Sequence, residues 1–472
     1  MSDLRSFIDS VRRERPRDII DVRRSVSPRY ETAAILTKLE QASRFPVIFF
    51  HDVAGSPFPV ISNVCGTQAR LALALGCSVR ELQERYTEGC THTIKPELQE
   101  TGPAQKNVYV GKDINLKTLP QLVYHQDNAS QPYITAAIIV ARDPESGHCN
   151  LSFHRLMVIG HHTTAIFMAR GKHLDRIYRK YESQSEPMPI AAFLGVHPAC
   201  SLGALYTGDA EVDEYDIIGG LLRAPLPVIR CATNNLNVPA EAEFVLEGFV
   251  SPRTRVEEGP FGEFTGYSTG AASCPIFTVS ALTSRNDPIF QDIVSGHLEH
   301  LLLPLLGMEH HLYAIARSAV PTTKAVKVAL PLTVFVSLNK RDDSEPCRLA
   351  EALLGSDIYV KHVIVVDASV DISDLRQVAT AVALHMRPDS GVFIRRQSLG
   401  TELDPSCDSA DCLVTKIGID ATLPLSASRP VIRNRVPQEL LDSIDLSDLL
   451  RSQLAGARCD PARVGKHEIL RD

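Results

Sequence analysis

The sequence predicts a mixed α+β / α/β protein: a β-rich, barrel-like middle followed by a separate α/β domain. Three observations carry this. Residues 108–158 and 224–290 hold many short apolar runs broken by turn residues, with few helical stretches between them. From about residue 320, β and α segments alternate. The chain has 472 residues, more than the roughly 250–300 at which a single hydrophobic core stops growing, so at least one division is expected.

The elements follow in order. Residues 1–18 predict an amphipathic helix with Leu4, Phe7, Ile8 and Val11 on one face. They contain no apolar run long enough for a secretory signal. Residues 46–62 read as two β segments around a Gly/Ser/Pro turn. A helix is expected over Thr67 to Ala74, with Gly76 as its stop. Residues 81–107 read as polar and irregular. Asp143-Pro144-Glu145-Ser146-Gly147 is a turn between strands. The segment after Ala165 becomes helical in its second half, where Leu174, Ile177 and Tyr181 share a stripe. Glu243 to Glu247 has the pattern of a buried strand, and 298–317 is helical. The last domain alternates Val334-Phe335-Val336, a helix at 347–354, Val363 to Val366 and a helix at 373–386. A terminal helix is expected within 435–454. Ala136–Ala141 and Leu301–Met308, the longest apolar stretches, fall far short of the ~20 residues that span a bilayer.

Composition narrows the function classes. Hydrophobic residues are 44% and charged residues 22%, as in soluble globular proteins. A net charge of −7 from 49 basic and 56 acidic residues disfavours nucleic-acid binding, which needs a basic surface. The 11 cysteines are scattered from Cys65 to Cys459 with no CxxC pair, so neither a disulfide framework nor a structural zinc site is expected. Most read as small core residues of a cytoplasmic protein. GxGxxG, GxxxxGK[ST] and GxSxG are all absent.

Four groups of residues could carry chemistry. Glu258 and Glu263 flank Gly259-Pro260-Phe261-Gly262, a tight turn that can bring both carboxylates to one side of a site. The bland reading is an acidic surface hairpin, but Phe261 argues for packing, and a carboxyl in apolar surroundings can act as an acid. Asn150-Leu151-Ser152-Phe153-His154-Arg155 places an arginine in a β-rich core, where it needs a carboxylate partner such as Glu258 or Glu263. Lys172-His173 and Asp213-Glu214 complete the set. Asn150, His173 and Glu214 offer an amide oxygen, an imidazole and a carboxylate, a sensible donor set for Mn²⁺ or Mg²⁺ when phosphate and water fill the octahedron. His161-His162 and Glu309-His310-His311 lack metal-protease spacing and read as surface imidazoles.

These motifs in this order resemble the UbiD family of decarboxylases. The resemblance runs through Pro132-Tyr133-Ile134-Thr135, Asn150, Arg155, His173, Glu214, Thr233-Asn234-Asn235-Leu236, Glu247-Gly248 and Glu258–Glu263. It continues with Val360 to Asp367 and Lys416 to Thr422. It implies a split-barrel-like flavin-binding domain and a C-terminal α/β domain that drives homo-oligomerisation. The expected boundaries are 1–318 for the catalytic domain, with an N-terminal lobe to about 105, then 319–440 and a helical tail over 441–472. The implied cofactor is prenylated FMN, supplied by a flavin prenyltransferase, with Mn²⁺ on Asn150, His173 and Glu214 and K⁺ nearby. Arg155, Glu258 and Glu263 match the family's catalytic Glu-Arg-Glu network. Thr135, Ser152, Phe153, His154, Lys172 and Lys361 fall where cofactor contacts are implied. Ser390-Gly391 departs from the pattern, since relatives commonly carry an acidic residue there.

The implied activity is reversible, non-oxidative decarboxylation of an aromatic or heteroaromatic monocarboxylic acid. Residues 295–304 sit where the family completes its substrate pocket, with His300 a hydrogen-bond donor and Leu301 part of an apolar wall. No Lys or Arg lies between His300 and Met308, so a second substrate carboxylate lacks a local partner. Three other readings compete: a polyprenyl-hydroxybenzoate decarboxylase of quinone synthesis, a non-catalytic flavin-binding subunit, and a metal-dependent hydrolase.

Overall fold

The computed structural model describes residues 3–208, 211–407, 411–425, 434 and 436–445. Residues 1–423 make one compact unit and 424–472 a second. Of the second, the Gln438–Ser443 helix is the described element. Residues 446–472 of the expected 441–472 tail lie outside the described residues.

A nine-stranded sheet, curled into a half-barrel, forms the middle. Along its path lie 133–134, 156–158, 163–166, 272–284, 244–258, 188–194, 138–142 and 149–153, and 107–110 adds to 272–284. Its inner strands are apolar on both faces because both are covered. Ile139, Ala141, Ile190 and Ala192 pack with Leu174, Ile177 and Tyr178 of the His173–Ser183 helix. Their neighbours Ile138, Val140, Ala191 and Phe193 pack with Tyr215 and Ile218 of the Glu214–Leu222 helix. The strand period of two thus divides one run of residues between two cores. The strands Phe244–Glu258 and Ala272–Ser284 pair antiparallel with a bulge at Gly248, where a Cβ would lie 2.0 Å from the Thr278 carbonyl oxygen.

The N-terminal helix Leu4–Glu14 buries Leu4, Phe7, Ile8 and Val11, as the sequence predicts. A four-stranded sheet follows, in the order 19–22, 47–50, 60–62, 290–292. Its last strand comes from far along the chain and seats residues 293–303 beside the barrel. The C-terminal sheet has the order 323–330, 333–338, 362–367, 413–421, 392–399, with parallel inner strands and antiparallel edges. The helices Glu345–Leu354 and Leu375–His385 cover its two faces, packing Leu349 and Leu353 against Val363 and Val365, and Val378 and Ala381 against Phe335 and Val366.

Three expectations are corrected. The 81–107 stretch is not irregular throughout, because Leu82–Thr91 is a helix. Its buried face is Leu82, Arg85, Tyr86 and Gly89, so half of the stripe is polar or bare. Arg85 earns its burial by donating to the carbonyls of Gly220 and Leu221 at 3.1 and 2.6 Å. Cys407 and Cys412 are joined in a disulfide, although no cross-link was expected. The strand ends are drawn together there, with Gly400 N donating to Cys412 O at 2.8 Å, which leaves the Cα atoms 5.5 Å apart. Cys65, Cys149, Cys200, Cys231 and Cys274 are buried core residues as expected. Finally, Glu309-His310-His311 is not a surface cluster. Glu309 is buried, and the His310 ring packs on Tyr86 and Tyr206, with centroids 5.9 and 6.3 Å apart. Among the described residues, no helix is long and apolar enough to cross a membrane.

The Leu82–Thr91 and Glu214–Leu222 helices cross at glycine. A Cβ on Gly220 would meet the Gly89 carbonyl oxygen at 2.2 Å, and one on Gly219 the Ile94 carbonyl oxygen at 2.0 Å. Neither neighbour is a flexible side chain, so Gly220→Ala pushes the helices apart. Denaturant unfolding of that variant is expected to show a loss of about 1–3 kcal/mol.

Candidate active site

Most of the expected site residues face one cavity of about 400 Å³ between the half-barrel and the C-terminal sheet. Strand and helix ends deliver them. The Cys149–Phe153 strand and the residues after it supply Asn150, Ser152, Phe153, His154 and Arg155. Lys172 and His173 start the His173–Ser183 helix. Glu214 is the first residue of its helix, behind the N-cap Asp213, whose carboxylate accepts from Tyr215 N. Thr135, Glu263, His300 and Leu301 complete the expected lining.

Arg155 is 8% exposed and takes two carboxylates. Its Nε and one terminal nitrogen donate to the two oxygens of Glu258, both at 2.8 Å, a bidentate fork. The other terminal nitrogen donates to Glu263. Its guanidinium carbon lies 4.1 Å from the Phe167 ring centroid and 4.7 Å from that of Phe261. The charge is therefore paired with carboxylates and stacked on two phenyl rings. Phe261 is buried against the Tyr133 ring at 4.5 Å, so the turn is packed rather than exposed. Glu258 is fully buried behind Arg155, while Glu263 lines the cavity. Burial pushes the Glu263 carboxyl up to about 7, against the pull of Arg155, and the Glu258 and Glu402 charges add to the rise. A carboxyl held near 7 can donate a proton at neutral pH.

The amide oxygen of Asn150 is buried with no hydrogen-bond partner. Glu214 is 3% exposed, accepts from Leu151 N at 3.0 Å, and is pushed up to about 8 by burial. An orphaned amide oxygen beside a desolvated carboxyl, with His173 in the same cavity, fits a divalent cation: the ion would satisfy both oxygens. Among the described residues, no three His, Cys, Asp or Glu side chains cluster as metal ligands, so the set depends on an asparagine that such a cluster would not include.

Other expected residues have different surroundings. Thr135 lines the cavity, but its hydroxyl donates to buried Asp292 at 3.0 Å. Lys172 is 3.2 Å from Asp357, and its Nζ lies 4.7 Å from the Tyr359 ring centroid. Lys361 does not line the cavity: its ammonium is 2.7 Å from Asp404 and 2.6 Å from Ser406. His300 accepts from Gly296 N at 3.3 Å through Nδ1, so its Nε2 carries the proton as a donor. Desolvation lowers His300 to about 4, leaving the ring neutral. Sequence reasoning missed the wall contributed from afar, which includes Phe264, Met308, Leu330, Leu332, Asp357, Tyr359 and Leu403. Only Phe264, next to Glu263, had a local signal. Its ring packs edge-on against His300 and Tyr359 at 6.1 and 5.9 Å.

Models of the 3-octaprenyl-4-hydroxybenzoate carboxy-lyase N-terminal, Rift-related and C-terminal domains match residues 12–88, 96–298 and 305–421. The chain belongs to the UbiD family. UbiD proteins are decarboxylases, and this chain is a carboxy-lyase of that family. Its UbiD-class structural neighbour HmfF from Pelotomaculum thermopropionicum, in complex with FMN, is 35% identical with a TM-score of 0.86, covering 94% of this chain and 99% of that one. The anhydromevalonate phosphate decarboxylase of Methanothermobacter thermautotrophicus is 30% identical over 90% of this chain and 98% of its own length. The phenolic acid decarboxylase of Streptomyces sp. strain D7 is 30% identical over 90% of this chain and 92% of its own.

Removing Arg155 strands two buried carboxylates in this UbiD site. Arg155→Met is expected to lower unfolding stability by about 3–5 kcal/mol. Adding Glu258→Gln should restore most of it, as a double-mutant cycle in urea would show.

Proposed function

We propose that this UbiD-family enzyme decarboxylates an aromatic or heteroaromatic monocarboxylic acid of the indole-, pyrrole-, furan- or hydroxybenzoate type, reversibly and without net oxidation, using prenylated FMN. One observation carries the reading: an apolar cavity whose buried guanidinium is shared by Glu258 and Glu263. A flavin prenyltransferase would supply the cofactor, and the chain would work as a homodimer or larger homo-oligomer. The domain limits 1–318, 319–440 and 441–472 belong to the same proposal.

When bound, prenylated FMN supplies an electrophilic carbon that accepts the electron pair left by departing CO₂. The chain's residues do the rest. Asn150, His173 and Glu214 would hold Mn²⁺, with K⁺ nearby, to neutralise the cofactor phosphate. Thr135, Ser152, Phe153 and Lys172 would line the cofactor. Glu258 fixes Arg155, and Arg155 orients the substrate carboxylate. Glu263, protonated in its dry pocket, delivers the proton that replaces CO₂. Leu301 and the leucines around it exclude water, and His300 Nε2 donates to a ring heteroatom or hydroxyl.

Substrate class follows from charge. Among the described residues lining the cavity, the Lys and Arg side chains are Arg155, paired with two glutamates, and Lys172, paired with Asp357. A second substrate anion, carboxylate or phosphate, would have to displace one of these pairs. This favours a monoacid over a phosphorylated substrate such as that named for the methanogen relative.

The decisive assay co-expresses the chain with a flavin prenyltransferase and screens aromatic acids for CO₂ release in D₂O. One deuterium per product is expected at the vacated carbon. No release from any acid by cofactor-loaded protein would support the binding-subunit reading instead, and activity without flavin the hydrolase reading. Because Glu263 must carry its proton, kcat/KM is expected to fall about tenfold per pH unit above about 7 and to level off below it. Glu263→Gln should abolish turnover while FMN still binds. His300→Phe should lower kcat/KM by about tenfold for acids bearing a ring acceptor, and little for plain ones, in steady-state assays.

A further inference from the structure

His154 invites a role in the site that its sequence position alone does not give. It follows directly on the Cys149–Phe153 strand, which carries Asn150 and Ser152 on one face because residues two apart point the same way. The three side chains and one backbone carbonyl form an unbranched run. Asn150 Nδ2 is 3.0 Å from Ser152 Oγ, Ser152 Oγ is 2.9 Å from His154 Nε2, and His154 Nδ1 is 2.8 Å from the Phe167 carbonyl oxygen.

Only one member of this run has no choice of role. A carbonyl oxygen accepts, so His154 Nδ1 carries the proton. Neither partner of the ring is an anion, so the ring is neutral and its Nε2 is bare. Ser152 must then spend its single hydroxyl hydrogen on Nε2. Its oxygen can only accept from the other side, and the Asn150 amide must meet it with its NH₂ end. The opposite end of that amide, Oδ1, is the buried atom without a partner. One residue on, Leu151 N holds the Glu214 carboxylate at 3.0 Å, so both oxygens are set from adjacent positions of one strand.

We infer that His154 and Ser152 are positioning residues whose hydrogen-bond polarity, set by the Phe167 carbonyl, locks the Asn150 amide with its oxygen toward the divalent cation. The inference rests on the metal reading above and reassigns His154 from a cofactor contact to a support of the ion. An amide turned the other way would offer N–H groups to a cation, which hard divalent ions do not accept. Partners behind a metal ligand typically change affinity by about 10–100-fold when removed.

The test is Mn²⁺ affinity of the full-length chain, read by the electron paramagnetic resonance of free Mn²⁺, with melting curves recorded for every variant. His154→Phe keeps the ring volume and loses the polarity, and should bind Mn²⁺ about 10–100-fold more weakly. Ser152→Ala cuts the run in the middle with little change of volume and should do the same, which guards against misfolding of the histidine variant. His154→Gln can accept from Ser152 and donate to the Phe167 carbonyl, and should recover to within about threefold of wild type. Wild-type affinity in both His154→Phe and Ser152→Ala overturns the inference. So does a His154→Gln variant as weak as His154→Phe, since imidazole packing would then explain the loss. A wild-type chain that takes up no Mn²⁺ fails differently, because it removes the metal reading and the inference with it.

Discussion

A guanidinium buried in an apolar wall is stable only if its charge is matched nearby, and the architecture around Arg155 follows from that requirement. The charge cannot be left unpaired, because several kcal/mol of desolvation would oppose folding. Glu258, at the end of the long Phe244–Glu258 strand, takes it with both oxygens. The short Phe261–Gly262 strand then returns Glu263 to the same group, and the Phe167 and Phe261 rings stack on the guanidinium. Burial raises the carboxyl of the less enclosed glutamate, Glu263, to about 7 against the pull of Arg155, and the Glu258 charge adds to the rise. The enclosure that demands the ion pair therefore also raises the Glu263 carboxyl.

The same economy operates at the other end of the cavity. Glu214 is buried and the Asn150 amide oxygen has no hydrogen-bond partner, an arrangement that an apolar core would not tolerate by itself. The close crossing at Gly89, Gly219 and Gly220 sets the position of the helix that begins with Glu214. Backbone glycines far from the cavity thereby fix where the Glu214 carboxyl sits.

The C-terminal sheet contributes differently. The strand 323–330 and the loops of this domain bring Val328, Leu330, Asp357, Tyr359 and Leu403 to a site that the half-barrel otherwise shares with helix ends and loops. Asp357 ties Lys172 across that boundary, so the wall of the cavity and the cation at its rim are held by one contact.

Much of this was legible in the sequence. The amphipathic stripe of Leu4 to Val11, the β runs of the middle and the alternating last domain follow from local periodicity, which a helix or strand must obey wherever it packs. The Asn150–Arg155 and Glu258–Glu263 motifs were legible because each concentrates several chemical groups within one short strand or turn. The Leu82–Thr91 helix was not, since a glycine contact and an arginine bound to carbonyls replace its apolar stripe. Nor were Asp357, Tyr359, Leu332 and Leu403 legible, for they lie far along the chain in ordinary apolar or loop sequence and reach the cavity only through sheet order. The sequence by itself determined most of the elements, the candidate reactive groups and the family. The tertiary structure decided which two carboxylates share Arg155 and which of them lines the cavity, which end of the Asn150 amide is left without a partner, and which lysine lines the cavity. Those are properties of distance and dielectric between distant segments, and no local pattern encodes them.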